Sequence, residues 1–439
     1  MDKKLNVCLL NDSFPPVIDG VANCVLNYAE IIQRRYGNAI VAVPKYPGAV
    51  DKYPYDVVRY PSIDTTRSIG YRTGIPYWPS VIRELVKRDI DIIHSHCPFV
   101  STLTARMLRS YLNIPIVLTY HTKFDIDIKN AVALGFLRSA AIKFIVSNIE
   151  ACDEVWVVSE GAGENLRSLG YTGKYTVVRN GVDFPRGGAE PGAVDAVSSE
   201  YGLEAGTPVF LYVGRMMWYK NIRLILEGLR LAKAGGALFK MLFVGSGADL
   251  EGIRRMTAQL GLDGNCVFTG AVSDREKLRA LFTRADLFVF PSTFDTSGLV
   301  VREAAACALP SVLVRGSGAA EGVVHRRHGL LIDENAPALA DALIWATKNP
   351  ALVREMGRKA MEEIYCSWED AVGSAVSRYP AVMEAYGQTH RRSALYHDRS
   401  VYRLVRDIET AFEKLRIYHS RQNGPQRLRR LRLRKSSKK

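Results

Sequence analysis

The chain carries no cysteine pattern that would staple or metallate a small fold. Its seven cysteines (Cys8, Cys24, Cys97, Cys152, Cys266, Cys307 and Cys366) are odd in number and scattered, with no CxxC or comparable ligand spacing. This excludes a disulfide framework and fits a reducing compartment, the cytoplasm. An export signal and a membrane anchor are not evident either. MDKK passes straight into LNVCLL, too short for a signal-peptide core, and no uninterrupted apolar stretch long enough to span a bilayer, roughly 20 residues, follows. A soluble or peripheral protein is expected. Acid is missing from the far end. Residues 421–439 hold nine Lys/Arg and no Asp or Glu, out of a formal net charge of +14, which leaves about +5 elsewhere. Such a run is ordinarily a solvated tail. As a binding element it suits anionic lipid headgroups, and no nucleic acid is expected because no RNA-binding motif or helix-turn-helix accompanies it.

What is present is an alternation of short apolar runs with longer helical patterns. Strands are expected at Asn6–Leu10, Ala39–Val43, Asp56–Tyr60, Asp91–His94, Ile116–Tyr120, Glu154–Val158 and Tyr175–Arg179. A second series follows at Val209–Val213, Lys240–Val244, Cys266–Thr269, Leu287–Phe290, Ser311–Val314 and Gly329–Ile332. Strands rich in Val, Ile and Leu with helices between them imply parallel sheets covered on both faces. The expected fold class is α/β, with two doubly wound Rossmann-like domains facing across a cleft and ligands at the carboxyl ends of the strands. Over 439 residues the divisions are 1–183, a Pro/Gly/Ala-rich linker 184–206, a second domain 207–367, a helix 368–387, and an extension 388–439 with an amphipathic helix at 400–418 ahead of the basic tail.

Chemistry concentrates at strand ends. In VFPSTFDTSGLVVREAAACALP, residues 289–310, a strand gives way to a loop with Asp295 and Ser297, then to a helix opening at Gly298-Leu299 with Glu303 eight positions after Asp295. A helix start offers free N–H groups to a phosphate, and carboxylates beside it accept from sugar hydroxyls. In PVFLYVGRMMWYKN, Gly214-Arg215 follows a strand and Lys220 comes five residues after Arg215, two cations for a leaving diphosphate. Gly245-Ser246-Gly247 follows the next strand. In the first half, Asn11 to Gly20 (NDSFPPVIDG) leads into a helix, with Asp19 before Gly20, and His121 in LTYHTKFD ends an apolar strand, with Lys123 beside it. His94-Ser95-His96 invites a metal reading, but no third ligand is evident. Asp89-x-Asp91 and Asp125-x-Asp127 earn no metal either. Lys129–Asn148 is nearly apolar: a core helix or a membrane-facing one.

These motifs, in this order over about residues 4–387, resemble the retaining glycosyltransferases of family 4 with the GT-B fold. Asp295…Glu303 is similar to the family's Glu-x7-Glu, with Asp for the first Glu, and Asp19-Gly20 stands where Gly-Gly is usual. The motif style is that of bacterial diacylglycerol glucosyltransferases. The resemblance implies a metal-independent hexosyltransferase that needs no cofactor beyond a nucleotide-sugar co-substrate, UDP-glucose or a related UDP-hexose. It implies that Arg215 and Lys220 hold the diphosphate, Glu303 the ribose and Asp295 the hexose. Gly20, Gly214, Gly245, Ser297, Gly298 and Leu299 complete the donor side. Asp19, His121 and Lys123 fall on the acceptor side, with His121 also at the reacting centre. The expected acceptor is a membrane lipid such as diacylglycerol, reached from the inner face of the cell membrane. A soluble sugar or glycan acceptor, or an inactive sugar-nucleotide-binding protein, remain the alternatives.

Overall fold

The structure, a computed structural model, describes residues 4–17, 19–66, 72–121, 135–295 and 298–390. In the first half, β1 (Leu5–Leu10), β2 (Gly37–Pro44), β3 (Asp56–Tyr60), β6 (Ile92–Ser95), β7 (Ile116–Tyr120), β8 (Glu154–Val157) and β9 (Thr176–Val177) form a seven-stranded sheet. Its order is β3-β2-β1-β6-β7-β8-β9, and every pairing is parallel. Two short strands, β4 (Ser62–Ile63) and β5 (Thr73–Gly74), pair antiparallel beside it.

In the second half, β10 (Val209–Val213), β11 (Lys240–Val244), β12 (Cys266–Gly270), β13 (Leu287–Val289), β14 (Ser311–Val314) and β15 (Gly329–Ile332) form a six-stranded sheet. Its order is β12-β11-β10-β13-β14-β15, again parallel throughout. The expected α/β class and its two Rossmann-like sheets are what the structure has.

The continuous apolar runs follow from coverage on both faces. Along β1, Val7 and Leu9 enter one core, while Cys8 and Leu10 enter the core on the opposite side. A strand with period-two side chains can be apolar at every position only when helices cover both faces. The long helix Trp368–His390 supplies part of that cover. It starts beyond the second sheet, yet Trp368, Val372, Val376 and Tyr379 pack into the first core beside Val7 and Leu9. Tyr379 stacks on Trp156 at 5.7 Å and shares a 2.8 Å hydrogen bond with His94 Nδ1, an aromatic contact worth about 0.5–1.5 kcal/mol beyond burial.

The two chain crossings between domains touch each other. Val182 bridges to Ser367, and a Cβ on Gly181 would lie 2.3 Å from the Trp368 nitrogen. That close approach is why Asn180-Gly181-Val182-Asp183 carries a glycine there.

Two expectations need revision. The stretch 184–206 is not a bare connector: Pro191–Glu200 is a helix, and Val197 and Leu203 are buried in the second core. Pro191 stands at the first turn of that helix, where its missing N–H costs nothing. The expected strand Tyr175–Arg179 shrinks to β9, two residues at the sheet edge. A helix, Gly135–Glu150, overlaps the apolar run 129–148 and buries that run's Ile145 and Val146 against β7 and β8, which is the core role for that part of it. Residues 129–134, the amphipathic segment 400–418 and the basic tail lie outside the described residues. No helix among the described residues is long and apolar enough to cross a membrane.

Candidate active site

In the second sheet the strand order reverses at β10, which lies between β11 and β13. Parallel strands send all their outgoing loops to one edge, and the crevice at such a reversal is where open α/β sheets take ligands. β10 runs into Gly214-Arg215 and the short turn Trp218–Lys220; β13 runs into the loop that carries Asp295. Across the reversal, Lys220 Nζ donates to both carboxylate oxygens of Asp295, at 2.7 and 2.9 Å. The rings of Tyr219 and Phe294 stand 5.4 and 5.3 Å from the ammonium and wall it from solvent. Asn221 pins the two loops together by donating to the Pro291 carbonyl at 2.9 Å. Arg215 is exposed on the same edge, its guanidinium 5.7 Å from the Tyr219 ring.

The glycines of this edge set how close the loops run. Gly214 donates to the Val244 carbonyl and Met216 to the Ser246 carbonyl, both at 3.0 Å. Gly245 has φ +138°, and a Cβ there would sit 2.0 Å from the Gly214 oxygen. No other residue fits. Gly298 caps the helix Leu299–Ala306, whose first amides have no acceptor within the helix itself.

Glu303 lies on that helix and is not free. Its Oε1 accepts from Arg275 at 2.9 Å, and Arg275 also stands 3.7 Å from Asp183. Burial pushes the Glu303 carboxyl above its ordinary value, and Arg275 restrains the rise. Nothing in VSDREKL distinguishes Arg275 from a surface arginine at a helix start, so the sequence does not single it out.

In the first sheet the corresponding reversal lies at β1, between β2 and β6. Here the structure gives Asp19 a job other than meeting substrate. Its Oδ1 accepts from the amides of Val21 and Ala22, both at 2.8 Å, and so caps the helix Gly20–Ile31. With those amides taken by a carboxylate, the Gly20 turn is not an open anion site, and the Asp-for-Gly departure is an N-cap.

Asp12, to which the sequence alone assigns no role, is buried in the same edge. Oδ1 accepts from Ser101 N at 2.8 Å, Oδ2 finds no partner among the described residues, and burial pushes the carboxyl up to about 6. A carboxylate directly after the first strand was the available signal.

His121 directly follows β7, as expected, and is 9% exposed. It does not stand alone: His96 Nδ1 lies 3.0 Å from His121 Nε2, and Asn180 Nδ2 lies 3.5 Å from His121 Nδ1. Burial pulls the His121 imidazole down to about 3, so it is neutral near pH 7 and has no proton to give as an imidazolium. His94 and His96 do different work. His94 is spent on Tyr379 and Thr119, while His96 faces His121.

The two domains meet where Gly161 N–H donates to Glu321 at 3.3 Å. Beside this contact is a cavity of about 250 Å³ lined by Gly161 and Glu164 from one side and Thr293, Arg315, Ser317 and Glu334 from the other. Of the expected site residues, Lys123 and Ser297 lie outside the described residues.

Residues 195–363 match the family described as glycosyl transferases group 1, and residues 18–186 match glycosyltransferase family 4. The fold is similar to that of Anabaena HepE, solved in complex with UDP and glucose, with a TM-score of 0.65 over 86% of this chain and 100% of that one at 17% identity. The chain belongs to the GT-B glycosyltransferases of family 4.

Two curated relatives of this GT-B enzyme differ in what they use. A GDP-mannose-dependent α-mannosyltransferase of Corynebacterium glutamicum is 26% identical over 352 residues, 78% of this chain and 81% of that protein. An α-monoglucosyldiacylglycerol synthase of Streptococcus pneumoniae is 24% identical over 315 residues, 70% of each chain. Nucleotide-sugar-dependent glycosyl transfer is common ground; the particular sugar and acceptor are not.

Proposed function

We propose that this family 4 enzyme is a retaining hexosyltransferase that moves a hexose, glucose in the first instance, from a UDP-sugar to a hydroxyl of a membrane lipid such as diacylglycerol. The observation that carries the donor half is the pairing of Lys220 with Asp295 across the strand reversal, with Arg215 on the same edge. A cation beside a carboxylate suits a ligand that is anionic at one end and hydroxylated at the other. Arg215 and Lys220 take the diphosphate, the amides of Gly298 and Leu299 a phosphate oxygen, Asp295 the hexose hydroxyls and Glu303 the ribose. As the glycosidic bond breaks, charge builds on the leaving phosphate, where two fixed cations stabilise it more than the bound donor. The acceptor hydroxyl passes its proton to that departing oxygen, so attack comes from the leaving group's own face and configuration is kept. No metal is needed, because the cations are supplied by the chain.

The lipid acceptor rests on the diacylglycerol-glucosylating relative and on the nine cations of residues 421–439. At about 1 kcal/mol for each cation near an anionic surface, such a tail can hold a peripheral enzyme on the inner leaflet. The second reading, a GDP-mannose user, is favoured by the Corynebacterium relative. A screen of UDP- and GDP-sugars, with and without anionic vesicles containing diacylglycerol, separates them by released nucleotide and by the lipid product. Turnover confined to GDP-mannose, or indifferent to vesicles while a soluble sugar is glycosylated, would overturn the proposal.

A further inference from the structure

Outside the donor edge, the fold gathers three metal-ligating side chains that are far apart in sequence. Cys24 lies on the helix Gly20–Ile31, His96 follows β6, and His121 follows β7. All three are buried, and their ligand atoms lie within 4.8 Å of one another. His96 Nδ1 is 3.0 Å from His121 Nε2 and 4.0 Å from Cys24 Sγ.

A tetrahedral Zn²⁺ with Zn–N of about 2.05 Å and Zn–S of about 2.3 Å holds two nitrogens about 3.3 Å apart and a nitrogen and a sulfur about 3.6 Å apart. Two of the three separations, 3.0 and 4.0 Å, fall within about 0.4 Å of these values, and the third, from Cys24 to His121, is within 4.8 Å. Shifts of that size are within side-chain reach. The missing third ligand that argued against metal at His94-Ser95-His96 is therefore Cys24, and the pair of histidines involved is His96 and His121. His94 is committed elsewhere.

For His121 a partner for the outer nitrogen is also in place, whereas His96 Nε2 is buried with no partner among the described residues. Asn180 stands against His121 Nδ1 at 3.5 Å and takes the Cys24 S–H on its Oδ1 at 3.8 Å. If His121 binds an ion through Nε2, its Nδ1 carries the proton, and the Asn180 amide, turned over, accepts it. Such an acceptor behind a histidine ligand fixes its tautomer and orientation.

We propose that Cys24, His96 and His121 form a site for one thiophilic divalent cation, Zn²⁺ or an ion of similar softness. On binding, the Cys24 S–H bond breaks, a sulfur–metal bond forms, and one proton leaves to solvent. The ion ties the first helix to two strand ends. This site is separate from the donor diphosphate, which belongs to the second sheet, although it takes in His121, the residue that the family resemblance puts at the reacting centre; it does not depend on which sugar or acceptor the enzyme uses.

The full-length protein, reduced and stripped with chelator, is titrated with Zn²⁺ and with Co²⁺. One Zn²⁺ per chain surviving gel filtration is expected. So are a rise in melting temperature with Zn²⁺, since an ion that binds only the folded state stabilises it by mass action, and a thiolate-to-cobalt charge-transfer band with Co²⁺. Cys24→Ser and Cys24→Ala should abolish the band. They should also weaken Zn²⁺ binding beyond the loss expected for an outer hydrogen-bond partner, that is by more than about 100-fold. His96→Gln should do the same. Two outcomes overturn the proposal: no stoichiometric binding to the wild type, or binding and a charge-transfer band that persist in the Cys24 variants and so belong to the half-buried Cys97, Cys152 or Cys366.

Discussion

Breaking the Lys220–Asp295 pair one residue at a time tests the reading of the donor edge without any assumption about the sugar. The Lys220 side chain is 7% exposed and that of Asp295 26%. Removing one partner of a fully buried pair costs about 3–5 kcal/mol, and an exposed pair is worth about 0–1 kcal/mol. A pair closed on one side and a quarter open on the other should fall between, so Asp295→Asn is expected to cost about 1–3 kcal/mol in urea unfolding of nucleotide-free protein. Lys220→Met should cost a similar amount. The double variant should cost less than the sum, because the second change no longer strands a charge.

The same pair makes an opposite prediction for nucleotide. If, as proposed, Lys220 takes the diphosphate, that phosphate competes with Asp295 for the ammonium, so removing the carboxylate removes a competitor. UDP alone should bind Asp295→Asn at least as tightly as wild type. Lys220→Met should lose a charge-assisted bond of about 1.5–3 kcal/mol, roughly tenfold to 150-fold in Kd by calorimetry. Strict additivity within about 0.5 kcal/mol in unfolding, or equal weakening of UDP by the two variants, would refute the reasoning.

Three further outcomes are expected. Asp12 is pushed from an ordinary 3.8 to about 6 by burial, so the folded state holds a proton that the unfolded chain has lost between those values, and stability falls as pH rises through that window. Asp12→Asn should remove this slope, so that its stability relative to wild type rises by about 2.5 kcal/mol from pH 4 to pH 7; parallel profiles in urea unfolding would show that Asp12 is not held protonated. Asp19→Ala should cost about 0.5–2 kcal/mol through the lost cap, whereas an unchanged melt would mean the carboxylate is not spent on Val21 and Ala22. Gly245→Ala should be among the most damaging single changes in the second domain, lowering yield and melting temperature sharply, because its Cβ would overlap the Gly214 carbonyl at 2.0 Å; normal folding of this variant would contradict the close approach of the two loops.

How much of this was legible along the chain follows from range. The strands were readable because parallel strands buried on both faces must be apolar at nearly every position, and runs such as VFLYV, KMLFV and IVLTY have almost no polar face to offer solvent. Because parallel strands point one way, reading the strand ends also placed Arg215, Lys220, Asp295 and His121 on the loop edges of their sheets, and Glu303 on the helix that follows.

Partnership was not legible, because strand order in a sheet is not chain order. Lys220 and Asp295 are 75 residues apart and meet only because β13 inserts beside β10. Cys24 and His96, 72 residues apart, meet because β6 lies beside β1 under the first helix. The roles of Asp19 and Arg275 depended on side-chain direction: one carboxylate turns back onto its own helix, and one guanidinium reaches across to Glu303. The order of residues determined which groups stand at the strand ends; the packing of strands out of sequence decided which of those groups touch.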